Sequence, residues 1–569
     1  MQKKAAVVCS LANVAVFALG VALLVVGLVF ALNIIPKDFD DYARKNYVLG
    51  TNSDGSFNDF VRRWQWRDDG TGDHGTFLEV YMYNYSNVWD VMNAGVKPDV
   101  VEVGPYTYRQ LTNVESEQML KSNGTEFFEF TKKKSFIFDS ERSCAGCTPE
   151  DRFLVPDPSF FVLFNNVGSL EKITIICKKH HCNKDIKPLL KAIPQMLGLA
   201  VDSFDRYGPF VNVKVRELIF DGYTDPLYHK VMDGIMKIFQ WMAQGDEPIK
   251  PMKSPFPQPF YSFKTNGSQF TYTVRTASDS YRNSGEIFKF SFPNATSREE
   301  ALPATWWNST DENCDDEFAN KLYGTNGDFF HPLISKSDSL SIFVEEVCRP
   351  LNLVFQREIQ ESDLTSYRFV LKSDSFDYSK SENCGFCTQL EQSFYGRPAN
   401  ASCLPNGVLD LTQCTSNEIP IAASNPHFFD AESDVLKLFP RIVRKEKEGE
   451  VITVVVEPKT GTVLRANKRL QFNVLFEQYS DIPSFSIMPS GMYPMFWINE
   501  TYSINTSNLK SLKADLFAPQ QTWTLVCYIK KRTVEISDSP NSAPFARHVS
   551  SIEVYPESDL RSRNRRAQK

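Results

Sequence analysis

Residues 451–476 read VITVVVEPKTGTVLRANKRLQFNVLF. Val451 to Glu457 is a short run of mostly β-branched residues, and Thr462 to Phe476 is a second extended candidate. Between them Pro458-Lys459-Thr460-Gly461 supplies turn chemistry, so the stretch predicts a β-hairpin. Working outward, Phe77 to Tyr85 is a run of aromatic and branched residues. Phe288, Phe290 and Phe292 alternate with Lys289 and Ser291, as in a half-buried strand, and Ser268 to Arg275 and Tyr367 to Lys372 alternate similarly. Much of the chain therefore reads as strands.

Helical spacing occurs in two places. Val231, Met232, Ile235, Ile238, Phe239 and Met242 form one apolar stripe. Ile186, Leu189, Leu190, Ile193 and Leu197 form another, which Pro188 and Pro194 break or kink. Both are read as core-packing faces. The Pro-rich segment Pro248 to Pro259 reads as a connector, and no repeat of 20–50 residues is present.

The N-terminus sets the compartment. Met1 to Lys4 carry two lysines, and Ala5 to Ile35 contain no charge. At ~1.5 Å rise per residue such a run spans the ~30 Å hydrocarbon core, and it exceeds the apolar region of a cleaved signal peptide. Lys3 and Lys4 precede it while Asp38, Asp40 and Asp41 follow. By the positive-inside rule, residues 1–4 are expected in the cytoplasm, 5–35 in the membrane and the remainder outside the cytosol. Cys9, near the cytoplasmic end, is a candidate for palmitoylation or a buried free thiol.

About 530 residues remain beyond this span, enough for a large β domain or two to four average ones. A net charge of −7 over 569 residues is small and gives no sign of nucleic-acid binding. Eleven of the 12 cysteines lie after the span, where an oxidising compartment favours disulfides. Eight Asn-X-Ser/Thr sequons, at Asn84, Asn123, Asn266, Asn294, Asn308, Asn400, Asn499 and Asn505, point the same way, to a glycosylated ectodomain. Cys314, Cys348, Cys384, Cys387, Cys403 and Cys414 form one cluster, whose pairing spacing alone leaves open. Cys144, Cys147, Cys177 and Cys182 form another. With His180 and His181 between the last two, they offer zinc-ligand types, but disulfides of open pairing are the expected use.

Several segments together resemble the class B scavenger receptors. They are Val103-Gly104-Pro105-Tyr106 with Tyr108-Arg109, Arg216-Glu217-Leu218 with Gly222-Tyr223-Thr224-Asp225-Pro226, and Cys348-Arg349-Pro350. Asn425-Pro426-His427-Phe428, Glu457-Pro458-Lys459-Thr460-Gly461, Lys468-Arg469-Leu470-Gln471-Phe472-Asn473 and Trp497-Ile498-Asn499-Glu500 complete the series. Each is weak alone; their order and their coverage from about residue 5 to 515 carry the resemblance. It implies an α+β, mainly β fold: a large irregular antiparallel β-barrel with an internal lipid tunnel, a helical bundle at its apex, and the N-terminal transmembrane helix. The scavenger-receptor ectodomain would run over 36–515, with the apex at about 155–245. Resemblance also implies the disulfides Cys314–Cys384, Cys348–Cys414 and Cys387–Cys403.

Within the expected apex, Lys172, Lys178, Lys179, His180, His181, Lys184, Lys187 and Lys191 make a local basic excess. The family places ligand capture there, so these residues are the candidate site for anionic lipid, lipoprotein or a glycosylated protein ligand, attracted by long-range steering. The histidine pair adds a candidate pH dependence, since histidine titrates near ~6.5.

Hydrolase, nucleotide-binding and dinucleotide motifs are absent, and His74, His229, His331 and His427 are scattered, so no catalytic residue, metal or cofactor is expected. Three readings follow from the resemblance. The first is a lipid-handling receptor at the cell surface. The second is an endolysosomal sorting receptor carrying a luminal hydrolase, towards which Cys403 to Leu409 and the histidine pair lean. The third is an adhesion glycoprotein without lipid transfer. Residues 516–569 form a polar tail ending in Arg561, Arg563, Arg565, Arg566 and Lys569, where the family pattern places a second membrane helix.

Overall fold

The structure, a computed structural model, describes residues 20–22, 25–26, 35–61, 74–158, 207–223, 268–291, 307, 319–387, 403–412, 420–444, 451–476, 478 and 486–517. Residues 1–509 form one compact unit and 510–569 a second, of which 510–517 are helical.

The hairpin at 451–476 forms as its sequence predicts. Strand β13 (Ile452–Glu457) pairs antiparallel with β14 (Thr462–Phe476) in a register running from Ile452–Lys468 to Glu457–Thr462. Glu457 holds the turn: its carboxylate accepts from the backbone N–H of Lys459 and Thr460 and from the Thr460 hydroxyl. Gly461 closes it at φ +72°.

Nine further strands continue the sheet in the order β7-β6-β3-β2-β1-β15-β14-β13-β10-β9-β8, and the paired strands run antiparallel. These are β1 (Gly75–Tyr85), β2 (Val100–Ser122), β3 (Thr125–Phe138), β6 (Ser268–Arg275) and β7 (Ile287–Ser291) on one side. β15 (Gly491–Ser503) lies on that same side, between β1 and β14, and on the other lie β8 (Ser339–Val344), β9 (Arg349–Glu361) and β10 (Leu364–Leu371). The short β11 (Val408–Asp410) and β12 (Ile421–Ser424) join beside β14, giving a 13-stranded sheet.

The path curls until its edges nearly meet. Ile287 N of β7 donates to Gly324 O at 2.8 Å, while Thr325 N donates to Ser341 O at 2.9 Å and Phe343 N to Thr325 O at 2.8 Å. Gly324-Thr325 thus bridges the two edge strands and leaves a nearly closed barrel, which removes the exposed edges of an open sheet. Phe290 of β7 packs on Phe343 of β8 across this seam, ring centroids 5.0 Å apart. The expected strand at 288–292 differs in one respect. A register shift opposite Thr273 and Val274 turns Phe290 inward and leaves Phe288 exposed against Phe127.

Several expectations fall largely outside the described residues: the membrane helix at 5–35, most of the apex at 155–245, and both helical stripes. Among the described residues no helix is long and apolar enough to cross a membrane. Helix α1 (Ile35–Asn46) follows the expected span. Within the range expected to be a helical bundle, the described residues include an antiparallel pair, β4 (Arg152–Pro156) with β5 (Phe210–Lys214), and one helical turn at Glu217–Asp221. Phe153 and Val155 are buried at alternate positions of β4, and Phe210 and Val213 are the buried residues of β5.

A Cβ at position 461 would lie 2.1 Å from Phe330 O and 2.5 Å from His331 O, on a backbone already at positive φ. Gly461→Ala is therefore expected to destabilise the ectodomain by roughly 3 kcal/mol, measurable as a lowered denaturation midpoint; an unchanged midpoint would contradict this packing of the turn.

Candidate functional site

Strand alternation places side chains from opposite walls into one interior space. Thr76 on β1, Gln110, Thr112 and Val114 on β2, Lys132 and Lys134 on β3 and Tyr272 on β6 face Ile342 and Val344 on β8, Ile452 and Val454 on β13, Lys468 on β14 and Glu500 on β15. These strands run round the sheet from β6 to β13 and on to the edge strand β8, so the cavity they share, about 160 Å³, sits inside the barrel. It is large enough for ordered waters or a small polar group.

The charges in this space are arranged as a network. Lys134 Nζ donates to Glu345 Oε1 at 3.0 Å, and the Tyr272 hydroxyl donates to the same oxygen at 2.8 Å. Lys468 Nζ lies 2.6 Å from Glu346 Oε1 and 2.6 Å from Glu500 Oε2. Lys132 pairs with Asp328. Burial works against the charge on Glu345, but Lys134 and Lys468 outweigh it and hold the carboxyl down to about 2. Glu500 is likewise lowered, burial again being overcome by Lys468 and Lys134. Glu346 moves the other way: burial, with Glu345 and Glu500 nearby, raises its pKa despite Lys468. Lys134 and Lys468 are raised, burial being outweighed by these carboxylates. Tyr272 is raised by burial and then by Glu345, so it stays a donor. Chemically, the space offers fixed positive and negative groups within a mainly apolar barrel.

The opposite face of β14 carries a second polar cluster. Gln471 Oε1 accepts from the Tyr83 hydroxyl at 3.0 Å and from His427 N at 2.7 Å, and Gln471 Nε2 donates to Asn473 Oδ1. His427 Nε2 lies 2.5 Å from Glu102 Oε2, which also accepts from Trp497 Nε1 at 2.8 Å. Trp497 stacks on Tyr81 at 3.8 Å with 1° between the planes. His427 is 5% exposed and has φ +56°, held by its neighbours in an uncommon backbone region. Its ring packs edge-on against Tyr83 and Trp497.

The sequence-predicted sites are placed unevenly. Lys172, Lys178, Lys179, His180, His181 and Lys184 lie outside the described residues, as do Cys177, Cys182, Cys314 and Cys414. Cys387 and Cys403 are joined by a disulfide, and so are Cys144 and Cys147; Cys348 and Cys384 each take part in a disulfide too, not with one another. Among the described residues no group of three or more metal-ligating side chains could hold an ion. Of the sequons, Asn123 sits exposed at the β2–β3 turn. Asn84 is half-buried and accepts from Leu154 N, and Asn505 caps the turn that follows it. Asn499 departs from the expectation. It is 8% exposed within β15, and its Nδ2, the atom a glycan would occupy, donates to Glu79 at 2.7 Å. Asn266, Asn294, Asn308 and Asn400 lie outside the described residues.

The motif positions follow the same fold logic. Val103-Gly104-Pro105-Tyr106 lies on β2 where its register against Val80 and Met82 shifts. A Cβ on Gly104 would come within 2.8 Å of Val80 O, so close strand approach demands glycine there. Lys468, Trp497 and Glu500 come from motifs on β14 and β15, the two central strands. A family model for the CD36 family matches residues 18–530.

The chain belongs to the CD36 family.

This is the class B scavenger receptor family to which its motifs point. The chain is 34% identical over 542 residues to an uncharacterised protein of Caenorhabditis elegans, covering 92% of this chain and 93% of that one. Lysosome membrane protein 2 of Homo sapiens is 27% identical over 440 residues, 77% of either chain. Sensory neuron membrane protein 2 of Ostrinia furnacalis is 25% identical over 460 residues, 80% of this chain and 78% of that one.

Sequence reading did not single out the interior ion network of this CD36-family barrel. One signal was available. On β3 the even positions read Phe128, Phe130, Lys132, Lys134, Phe136, so two lysines interrupt an aromatic inward face.

Glu345→Gln removes the carboxylate from a buried lysine and is expected to cost about 3 kcal/mol, whereas Glu346→Gln, whose charge the fold already disfavours, costs at least about 1 kcal/mol less. Thermal denaturation of both variants reads the order, and equal losses would contradict the network. The sign with pH follows. Glu345 lies below its usual value of 4.5 in the fold, so its contribution is complete above about 4.5 and fades as pH falls towards about 2. Glu345→Gln should flatten that acid limb. Glycopeptide mapping is expected to find glycan on Asn123 and none on Asn499; an occupied Asn499 would overturn its buried placement.

Proposed function

We propose that this protein is a membrane-anchored receptor of the class B scavenger type, tethered by residues 5–35, with its ectodomain outside the cytosol. The ectodomain binds lipid, lipoprotein or a protein ligand at the basic apical segment and conducts lipid through the barrel. Membership of the CD36 family over residues 18–530 is the observation that carries this reading. The nearly closed barrel supports it, since a 13-stranded sheet wrapped around an internal cavity has the form of a container. The cavity is lined by charge, because Lys134, Lys468, Glu345 and Glu500 meet inside the barrel. A container with such an interior accepts amphiphiles more readily than pure hydrocarbon.

A second reading has its own support in the likeness to lysosome membrane protein 2. In it, the protein works in the endolysosomal membrane and carries a luminal hydrolase at the apex. Both readings make the protein a receptor and not an enzyme, and both separate from an adhesion glycoprotein by lipid binding.

Delipidated protein is expected to bind radiolabelled fatty acid or cholesterol saturably, and absence of any saturable lipid binding would exclude conduction. Reversing charge with Lys178→Glu and Lys179→Glu is expected to weaken binding of anionic lipoprotein about tenfold at low salt, an effect that added salt reduces. Unchanged binding would remove the apex from the mechanism.

A further inference from the structure

Gln110 lines the barrel cavity on β2 and is 4% exposed. Its Nε2 reaches Thr112 Oγ1 at 3.3 Å, while its Oε1 is buried with no hydrogen-bond partner. An amide oxygen left so is costly, and it accepts only from a donor brought into the cavity. Lining the same space are three ammonium groups, Lys132, Lys134 and Lys468, and three carboxyl groups, Asp328, Glu345 and Glu500; Glu346, outside the lining, adds a fourth carboxyl to the network through its pair with Lys468. The balance is one carboxyl in excess, and buried carboxylates repel one another unless a cation or proton intervenes. The raised pKa of Glu346 reports that pressure. Tyr272, Phe343 and Tyr502 add aromatic wall, which attracts cations. Ile342, Val344, Ile452 and Val454 supply an apolar wall of the same space.

We propose that this cavity is a binding site for the ammonium head of a single-chain amphiphile, with Gln110 Oε1 accepting from the head and the apolar wall covering the start of the chain. The shared chemistry is a primary amine on a long alkyl chain, as in a sphingoid base or a simple alkylamine. The site rests on the reading that the barrel admits lipid, and it assigns a head-group preference to that barrel. An unfilled acceptor and a carboxyl excess both select a donor-bearing cation over a carboxylate, whose oxygens would meet Gln110 Oε1 and Glu500 without a proton to share.

The test uses the full chain, delipidated in detergent, with native mass spectrometry of hexadecylamine, hexadecanol and hexadecanoate at equal concentration and neutral pH. Hexadecylamine is expected to bind at least about tenfold tighter than hexadecanoate, the scale of one hydrogen bond to a charged group. Gln110→Leu is expected to remove most of that preference while leaving hexadecanoate unchanged, and Gln110→Glu, which adds a carboxylate at the same place, is expected to increase it. Melting temperatures of both variants establish that they fold, and Gln110→Glu remains informative where Gln110→Leu does not. Equal binding of the three amphiphiles, a preference for hexadecanoate, or an amine preference indifferent to both substitutions overturns the site while leaving the lipid-binding receptor intact. Failure of every amphiphile to bind overturns the receptor's lipid conduction as well. With sphingosine in place of hexadecylamine, the same preference identifies a sphingoid head as sufficient; its loss confines the site to unbranched alkylamines.

Discussion

Glu345 and Glu346 are neighbours in the chain, yet they bond to different walls of the barrel. Glu345 meets Lys134 of β3 and Tyr272 of β6, and Glu346 meets Lys468 of β14. Both sit on the single helical turn Glu345–Val347, between β8 and β9. The turn ends at Cys348 with φ +51° and leads into Arg349, whose guanidinium stacks 3.6 Å from the Phe386 ring and donates to Asn383. A backbone held this firmly delivers two carboxylates into the barrel at fixed places. The interior charges then have partners, which a buried ammonium requires.

The same turn explains how the sheet closes. Across the seam between β7 and β8, the backbone hydrogen bonds among the described residues are the few through Gly324-Thr325. Lys134 and Tyr272 belong to strands on the β7 side, and Glu345 follows β8 directly. Their bonds therefore cross the seam from within. Lys132 with Asp328 makes a similar crossing, since Asp328 lies just beyond the Gly324-Thr325 bridge. Where the ladder is shortest, ion pairs and the Phe290–Phe343 contact take over.

Parts of this architecture were legible in the residues. The hairpin at 451–476 was readable because β-branched runs and turn residues act locally, and its register needs no distant partner. The strands at 77–85, 268–275 and 367–372 were readable from period-two patterning for the same reason. Phe288 was misplaced because a register shift is set by the facing strand, which the local pattern does not contain. Asn499 reads as a sequon, but its burial follows from Glu79 and Arg469 on the flanking strands. The interior network was the hardest part. Lys132 and Lys134 leave a trace in the aromatic alternation of β3, whereas Glu345 and Glu346 look like ordinary turn residues. Their partners lie 211 and 122 positions away, Lys134 and Lys468, and only the closed sheet brings them together.

Under the proposed lipid conduction, a charged centre inside the barrel places two demands in opposition. Conduction asks for a continuous low-polarity path, while buried ions resist losing their partners. Among the ionic contacts, Lys468 holds two carboxylates at once, so it can release one and keep the other. Glu346, the partner whose charge the fold already disfavours, is the one that protonation detaches first. Lys134 has less latitude, because Glu345 stays charged to about pH 2 and is fixed further by Tyr272. The seam side of the network is therefore the rigid one. On the β14–β15 wall, by contrast, Lys468 can let go of Glu346 and keep Glu500, so loss of one ion pair there leaves no ammonium bare.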